Sequence, residues 1–373
     1  MSSTREARAP TAQHQLGAAG GPRLLVPDVL RGGAILAMLL AHAAPLLGRV
    51  PEPWRVFTAS ANDVASPLFA LVMGMSAQLV TQRTDRAGRA RMLVQQALRA
   101  LALVLLGVWM GTWGSWVAVV LAQLGLVLVV GAPLLLLRTR WLAVVTAVLA
   151  VVSAPVNHWA RSELAWVYAD PGSPAFRVAD WVVLGAHYRV TNLLPFFLLG
   201  ALLLRHGIRR DRVLWAMLAV APVAYVVLPV LLRLDPSADV SSGSLPDTLH
   251  DVGLVFLVYG VTVVVATAHH SQPWARSAGR VLVPLAAVGA VSLSLYVLHV
   301  GVLALWADEG FRPGINDYLR WLVIVPGMMA VGYAWGRSVG RGPLEWAMGV
   351  VTGRRTALRS GPPGERGGGA AAR

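Results

Sequence analysis

Cysteine is absent from the 373 residues, and so is lysine: all 32 basic residues are arginine. The missing cysteine excludes disulfides, thiolate metal sites and a cysteine nucleophile, which leaves His, Asp, Ser, Tyr or Arg for any catalysis. Charge of either sign is scarce at 13%, against 56% hydrophobic residues and a mean hydropathy of +0.61. A soluble fold of this length carries far more charge, so the composition is that of a polytopic membrane protein. No HExxH, P-loop or GxSxG pattern occurs, and GRGPLEW (340–346) lacks the strand that a nucleotide loop requires. No metal is expected. The formal charge of +14 does not point to nucleic acid, because the arginines are spread over short loops rather than gathered on one soluble domain.

What is present is a series of apolar windows, each near the ~20 residues needed to cross a ~30 Å hydrocarbon core. They lie roughly at 26–48, 62–82, 92–112, 115–137, 141–157, 191–205, 213–232, 250–268, 281–306 and 318–337. The expected fold is therefore all-α, a multi-pass bundle of about ten transmembrane helices in the cell membrane. With the N-terminus inside, 22 arginines fall on cytoplasmic segments and 8 on outer ones, which places both termini in the cytoplasm. Residues 1–24 read as a disordered tail rather than a removed signal peptide, 25–340 as the membrane domain, and 341–373 as a cytoplasmic tail ending in low-complexity Gly, Pro and Ala. The longest outer loop, about 157–190, is rich in aromatic and polar residues and is placed to cover an outward-facing site.

Several windows carry ionisable groups that cost on the order of 2.5–3.5 kcal/mol each to insert. In VPDVLRGGAILAMLLAH (26–42), Arg31 and His42 are 11 residues apart, about 20° past three full turns, and Asp28 lies within about 60° of both. One polar seam thus runs about 16 Å along the first helix, with Asp28 and Arg31 at its start and His42 towards its end. Ser292, Tyr296 and His299 form a second seam at i, i+4, i+7, with helix packing as its plainer reading. At the outer end of the second helix, Asn62 and Asp63 are candidates to orient an imidazole, as a carboxylate does in a hydrolytic triad; a simple helix N-terminal acid is the alternative for Asp63. His187, in AHYRVTN, is the outer-loop histidine best placed to face a site, whereas His269 and His270 read as solvated.

Four blocks carry a family resemblance: DVLRGGAILAMLLAH (28–42), NDVASPLFALVMGMSAQL (62–79), VGAVSLSLYVLH (288–299) and GPLEWAMGVVTGR (342–354). They resemble the transmembrane acyltransferase superfamily that includes heparan-alpha-glucosaminide N-acetyltransferase, and the bacterial family named domain of unknown function 418. The Arg31-to-His42 spacing is also similar to the start of the related acyltransferase-three membrane enzymes, whose helix histidine is thought essential. This resemblance implies that acyl-CoA, most simply acetyl-CoA, docks from the cytoplasm and that its acyl group passes to an outer-side sugar, lipid or other small acceptor. The loop PLLGRVPEPWRVFTASA (45–61) lacks the histidine that the heparan enzyme looks to use, so the base falls to His42.

On that implication His42, Asp63 and His299 are the catalytic candidates, and Asp28, Arg31, Arg91 and Arg99 are those for CoA. Asn62, Tyr296 and His187 are the candidates for the acceptor. A homodimer is possible on this scaffold. The competing readings are a transporter or flippase whose seams line a path, and a non-catalytic protein that keeps the scaffold.

Overall fold

The computed structural model describes residues 25–267, 273–311 and 316–353, with the backbone alone described at 165, 273–276, 278 and 279. The tail 1–24, the loop histidines His269 and His270, and residues 354–373 lie outside the described residues. Among those described there is no strand. The helices are α1 (Leu25–Ala43), α2 (Glu52–Gln82), α3 (Arg89–Gly111), α4 (Leu121–Leu134), α5 (Thr139–Glu163), α6 (Pro174–Ala179) and α7 (Val190–His206). They continue with α8 (Arg212–Leu234), α9 (Leu245–Ala266), α10 (Pro273–Gly289), α11 (Ser292–Asp308), α12 (Tyr318–Leu322), α13 (Met328–Ser338) and α14 (Pro343–Val351).

Every apolar window overlaps helix, but among the described residues seven helices are long and apolar enough to cross a membrane, or eight if one bent pair counts as a span. The windows at 115–137 and 191–205 hold helices of only 14 and 17 residues, so the expected ten crossings exceed what helix length supports. The window at 281–306 is not one helix: α10 and α11 meet at a 76° bend across Ala290 and Val291. The second window begins earlier than hydropathy suggests, because Pro51 and Pro53 sit at the cap and first turn of α2, where a missing N–H costs nothing. Residues 157–190 are not one open loop either. α5 runs on to Glu163, and α6 and a π-turn at Asp180–Leu184 fill much of the remainder.

Polar caps mark helix starts where loops return to the bundle. The Asp211 carboxylate accepts from the backbone N–H of Val213 and Leu214, and Ser244 accepts from Asp247 N. α1 and α2 form the buried centre, α1 packing on α2 and α10, and α2 on α7; α3 packs on α4 and α8 on α9. The outer faces of α3, α5 and α8 expose Leu101, Leu105, Val148, Val151, Val220 and Val223. An apolar exterior of this kind is what contact with lipid tails demands, and the protein is a multi-pass membrane protein.

Lipid supplies no hydrophobic drive between helices, so close backbone approach has to hold them. Gly74 of α2 and Gly200 of α7 achieve it reciprocally. A Cβ on Gly74 would lie 1.8 Å from the Phe197 carbonyl oxygen, and one on Gly200 would lie 1.9 Å from that of Leu71. Gly33, by contrast, has open space within 4 Å. Gly74→Val should therefore lower stability in detergent by about 1–3 kcal/mol through overpacking, while Gly33→Ala should be neutral or slightly stabilising; equal effects in thermal unfolding would refute the tight α2–α7 seam.

Candidate active site

The two seams converge. His42, in the last turn of α1, and His299, in the middle of α11, approach with His42 Nδ1 3.0 Å from His299 Nε2, their rings stacked with centroids 5.2 Å apart. His299 is fully buried, and its Nδ1 lies 3.3 Å from the Leu295 carbonyl oxygen, one turn back on α11. A carbonyl can only accept, so Nδ1 of His299 carries the proton and its Nε2 presents a lone pair. His42 must then donate from Nδ1, which leaves His42 Nε2 unprotonated. This is the arrangement of a general base held in one tautomer by a neighbour.

Tyr296 supports the pair from below. Its ring meets His299 edge-on at 5.3 Å, and its hydroxyl accepts from the backbone N–H of Val120 at 3.2 Å. Ser292, the first residue of the same seam, lies seven residues before His299, about 10 Å along the helix. It faces a different feature, a cavity of about 600 Å³ at the other end of the seams.

This cavity is lined by Arg31, Arg83, Arg99 and Arg341, with two carboxylates, Asp28 and Glu345. Arg31 is fixed by Asp28 Oδ1 at 3.0 Å and donates to Ser76 Oγ at 2.7 Å, so α1 and α2 jointly aim it. Guanidinium groups offer paired donors matched to phosphate oxygens, and a recess that collects four of them is suited to a polyanion. Pro27 near the start of the described chain and Thr352 near its end both line this cavity, which puts the two ends on one side of the bundle.

Of the residues singled out in the sequence, His42, His299 and Tyr296 come together, and Asp28, Arg31 and Arg99 meet in the cavity. Arg91 is exposed in the first turn of α3 and does not line it. Asp63 finds a different imidazole, lying 3.6 Å from His250 Nε2 of α9, while Asn62 donates to Asp63 at 3.2 Å. His250 in turn donates from Nδ1 to the Tyr225 carbonyl at 2.8 Å. His187 is exposed in the turn before α7, its carbonyl 3.5 Å from Ser242 Oγ. Nearby, Arg189 is buried against the Ser242 carbonyl and beside Arg161, and burial pulls its guanidinium down to about 10. This outer network of Asn157, Thr191, Asn192 and Gly243 ties α5 and α7 to the loop before α9.

Arg83, Arg341 and Glu345 are cavity residues that sequence reasoning left aside. Arg83 read as one more charge of an arginine-rich loop, and Glu345 stood only within the GPLEW block. No cluster of three or more His, Cys, Asp or Glu suited to a metal ion occurs among the described residues.

Residues 25–335 match the family model of acyltransferase-3, described as an acyltransferase domain. Against curated proteins the chain has no match. The matched span includes both histidines and ends before α14.

The hydrogen-bond directions are open to direct measurement. In protein carrying 15N-labelled histidine, the neutral forms of His42 and His299 should both appear as the Nδ1–H tautomer, the minor form in water. A His299 resonance reporting an Nε2–H would reverse the donor order and remove the lone pair assigned to His42.

Proposed function

The chain belongs to the acyltransferase-3 family, and on that premise we propose that it is an integral-membrane enzyme that moves an acyl group, most simply acetyl, from cytoplasmic acyl-CoA to an acceptor hydroxyl or amine at the outer side. The observation that carries this is the position of the His42–His299 pair at the far end of the two helix seams that begin in the arginine-lined cavity. The excess of arginine on the segments at the cavity end supports a cytoplasmic opening there. An acyl donor with a polyanionic head and a long arm suits that geometry: phosphates among Arg31, Arg83, Arg99 and Arg341, and the thioester about 10–16 Å further along the helices.

At the pair, His42 Nε2 takes the proton of the acceptor O–H or N–H as the acceptor atom attacks the thioester carbonyl. The tetrahedral adduct collapses with cleavage of the C–S bond, and the proton returns from His42 to the departing thiolate. The products are an ester or amide and CoA as its thiol. His299 keeps the ring of His42 oriented and accepts its Nδ1–H throughout, so the pair stabilises the imidazolium without a carboxylate. The resemblance of residues 28–42 and 62–79 to heparan-alpha-glucosaminide N-acetyltransferase is the support for acetyl as the group and for an outer sugar, lipid or small acceptor. A transport path gains nothing from this geometry, because the two rings in direct contact close the seam.

His42→Ala in purified protein should reduce acyl-CoA-dependent transfer by about 10²–10⁴-fold with the thermal unfolding profile retained; full activity would refute the assignment of the base. Acyl-CoA should raise the melting temperature, since binding at about 100 times Kd adds about 2.7 kcal/mol to native stability. Arg31→Gln and Arg99→Gln should each weaken that stabilisation, and the effect should shrink with added salt. If no CoA ester stabilises the protein, the donor is wrong.

A further inference from the structure

α11 begins immediately after the 76° bend, so α10 does not continue into it and does not fix its axis. Its cap residue, Val291, has no side chain able to satisfy the first N–H groups. That role is taken from outside the helix. Glu345 of α14 accepts from Leu293 N at 2.6 Å and from Ser294 N at 3.2 Å through one carboxylate oxygen, while its other oxygen receives the Ser294 hydroxyl. Ser294 Oγ in turn accepts from Leu344 N at 3.0 Å, closing a clasp between the two helix starts. The clasp is tight: a Cβ on Gly342 would stand 2.0 Å from Glu345 Oε2 and 2.3 Å from Ser294 Oγ.

We propose that Glu345, on a helix beyond the family-matched span, is a positioning residue for the histidine pair: it caps α11 from α14 and so sets the depth at which His299 meets His42. The path is continuous. Glu345 holds the N–H groups of the first turn, that turn presents the Leu295 carbonyl, the carbonyl fixes Nδ1 of His299, and Nε2 of His299 receives His42. A carboxylate at a helix N-terminus is favoured by the dipole as well as by the two N–H bonds. Glu345 also lines the arginine cavity, so the residue that caps α11 stands where the donor head would sit. The catalytic part of this inference rests on the acyltransferase reading.

The test separates positioning from a role in the cavity wall. In the full chain, Glu345→Ala should lower kcat by about tenfold or more per folded molecule, with the KM for acyl-CoA unchanged or lower, because a negative charge leaves a cavity meant for an anion. Glu345→Gln should recover most of kcat, since its amide oxygen still accepts from Leu293 N and Ser294 N. Ser294→Ala should shift kcat in the same direction by about threefold, and carries the test if Glu345→Ala does not fold. The 15N resonances of His42 and His299 should move in Glu345→Ala. A kcat within twofold of the parent, a change confined to KM, or unmoved histidine resonances would each overturn the proposal. If the parent protein transfers no acyl group from any CoA ester, the function reading fails by itself and the histidine resonances decide this one.

Discussion

The contact between His42 and His299 is the interaction to which the remaining polar architecture is referred. Inside a bundle surrounded by lipid, a fully buried imidazole such as His299 has no water to satisfy it, so both of its ring nitrogens need partners supplied by the protein. His299, with no exposed surface, takes a carbonyl of its own helix on one side and His42 on the other. That choice settles the proton positions of both rings through a carbonyl and the ring–ring hydrogen bond. It also ties α1 to α11 through two side chains 257 residues apart in the chain. Tyr296 depends on the same register, since its ring must stand edge-on to His299 while its hydroxyl reaches the N–H of Val120 just before α4.

Much of this was legible in the sequence, because helical periodicity converts spacing into a shared face. Eleven residues from Arg31 to His42 place one end of α1 in the cavity and the other at the pair, and Ser292, Tyr296 and His299 do the same on α11. Hydropathy located the long helices, though not the short α6 and α14, and overstated the number of full crossings, because a window records apolar content and not continuity. The 76° bend at Ala290–Val291 directly follows Gly289, five residues after Pro284, inside a run that hydropathy reads as one apolar stretch. Gly289 lets α10 approach the backbone of α1 closely, and the two halves then pack on different partners, α10 on α1 and α13, and α11 also on α14 and α3.

Partner choice was the illegible part. Asp63 was a sensible neighbour for an imidazole, and it has one, but the imidazole is His250 of α9 rather than His42. Spacing along α2 fixes the face that Asp63 occupies and says nothing about which helix arrives there. The same holds for Arg83. Its position in an arginine-rich turn satisfies the positive-inside bias, and that explanation hides its second role as a cavity wall. Arg91 shows the converse, a nearby arginine with the same sequence credentials that the first turn of α3 turns outward.

The acidic residues of the cavity show how a cationic recess is held together before an anion arrives. Four arginines without counter-charges would repel one another and raise the cost of folding. Asp28 offsets this by pairing with Arg31 at i, i+3, which both neutralises and aims the guanidinium towards Ser76. Glu345 engages the backbone N–H groups and the Ser294 hydroxyl in the first turn of α11, so its charge contributes to the cavity while its oxygens build the helix start. On the proposed function, a polyanionic donor would meet a site in which one arginine is already oriented and a second lining residue, Glu345, is stitched to the helix that bears His299. The energetic consequence is that binding at the cavity and alignment at the histidines share one structural element, the first turn of α11. The short helix α14 thus carries a constraint on the chemistry although it supplies no group to the reacting atoms.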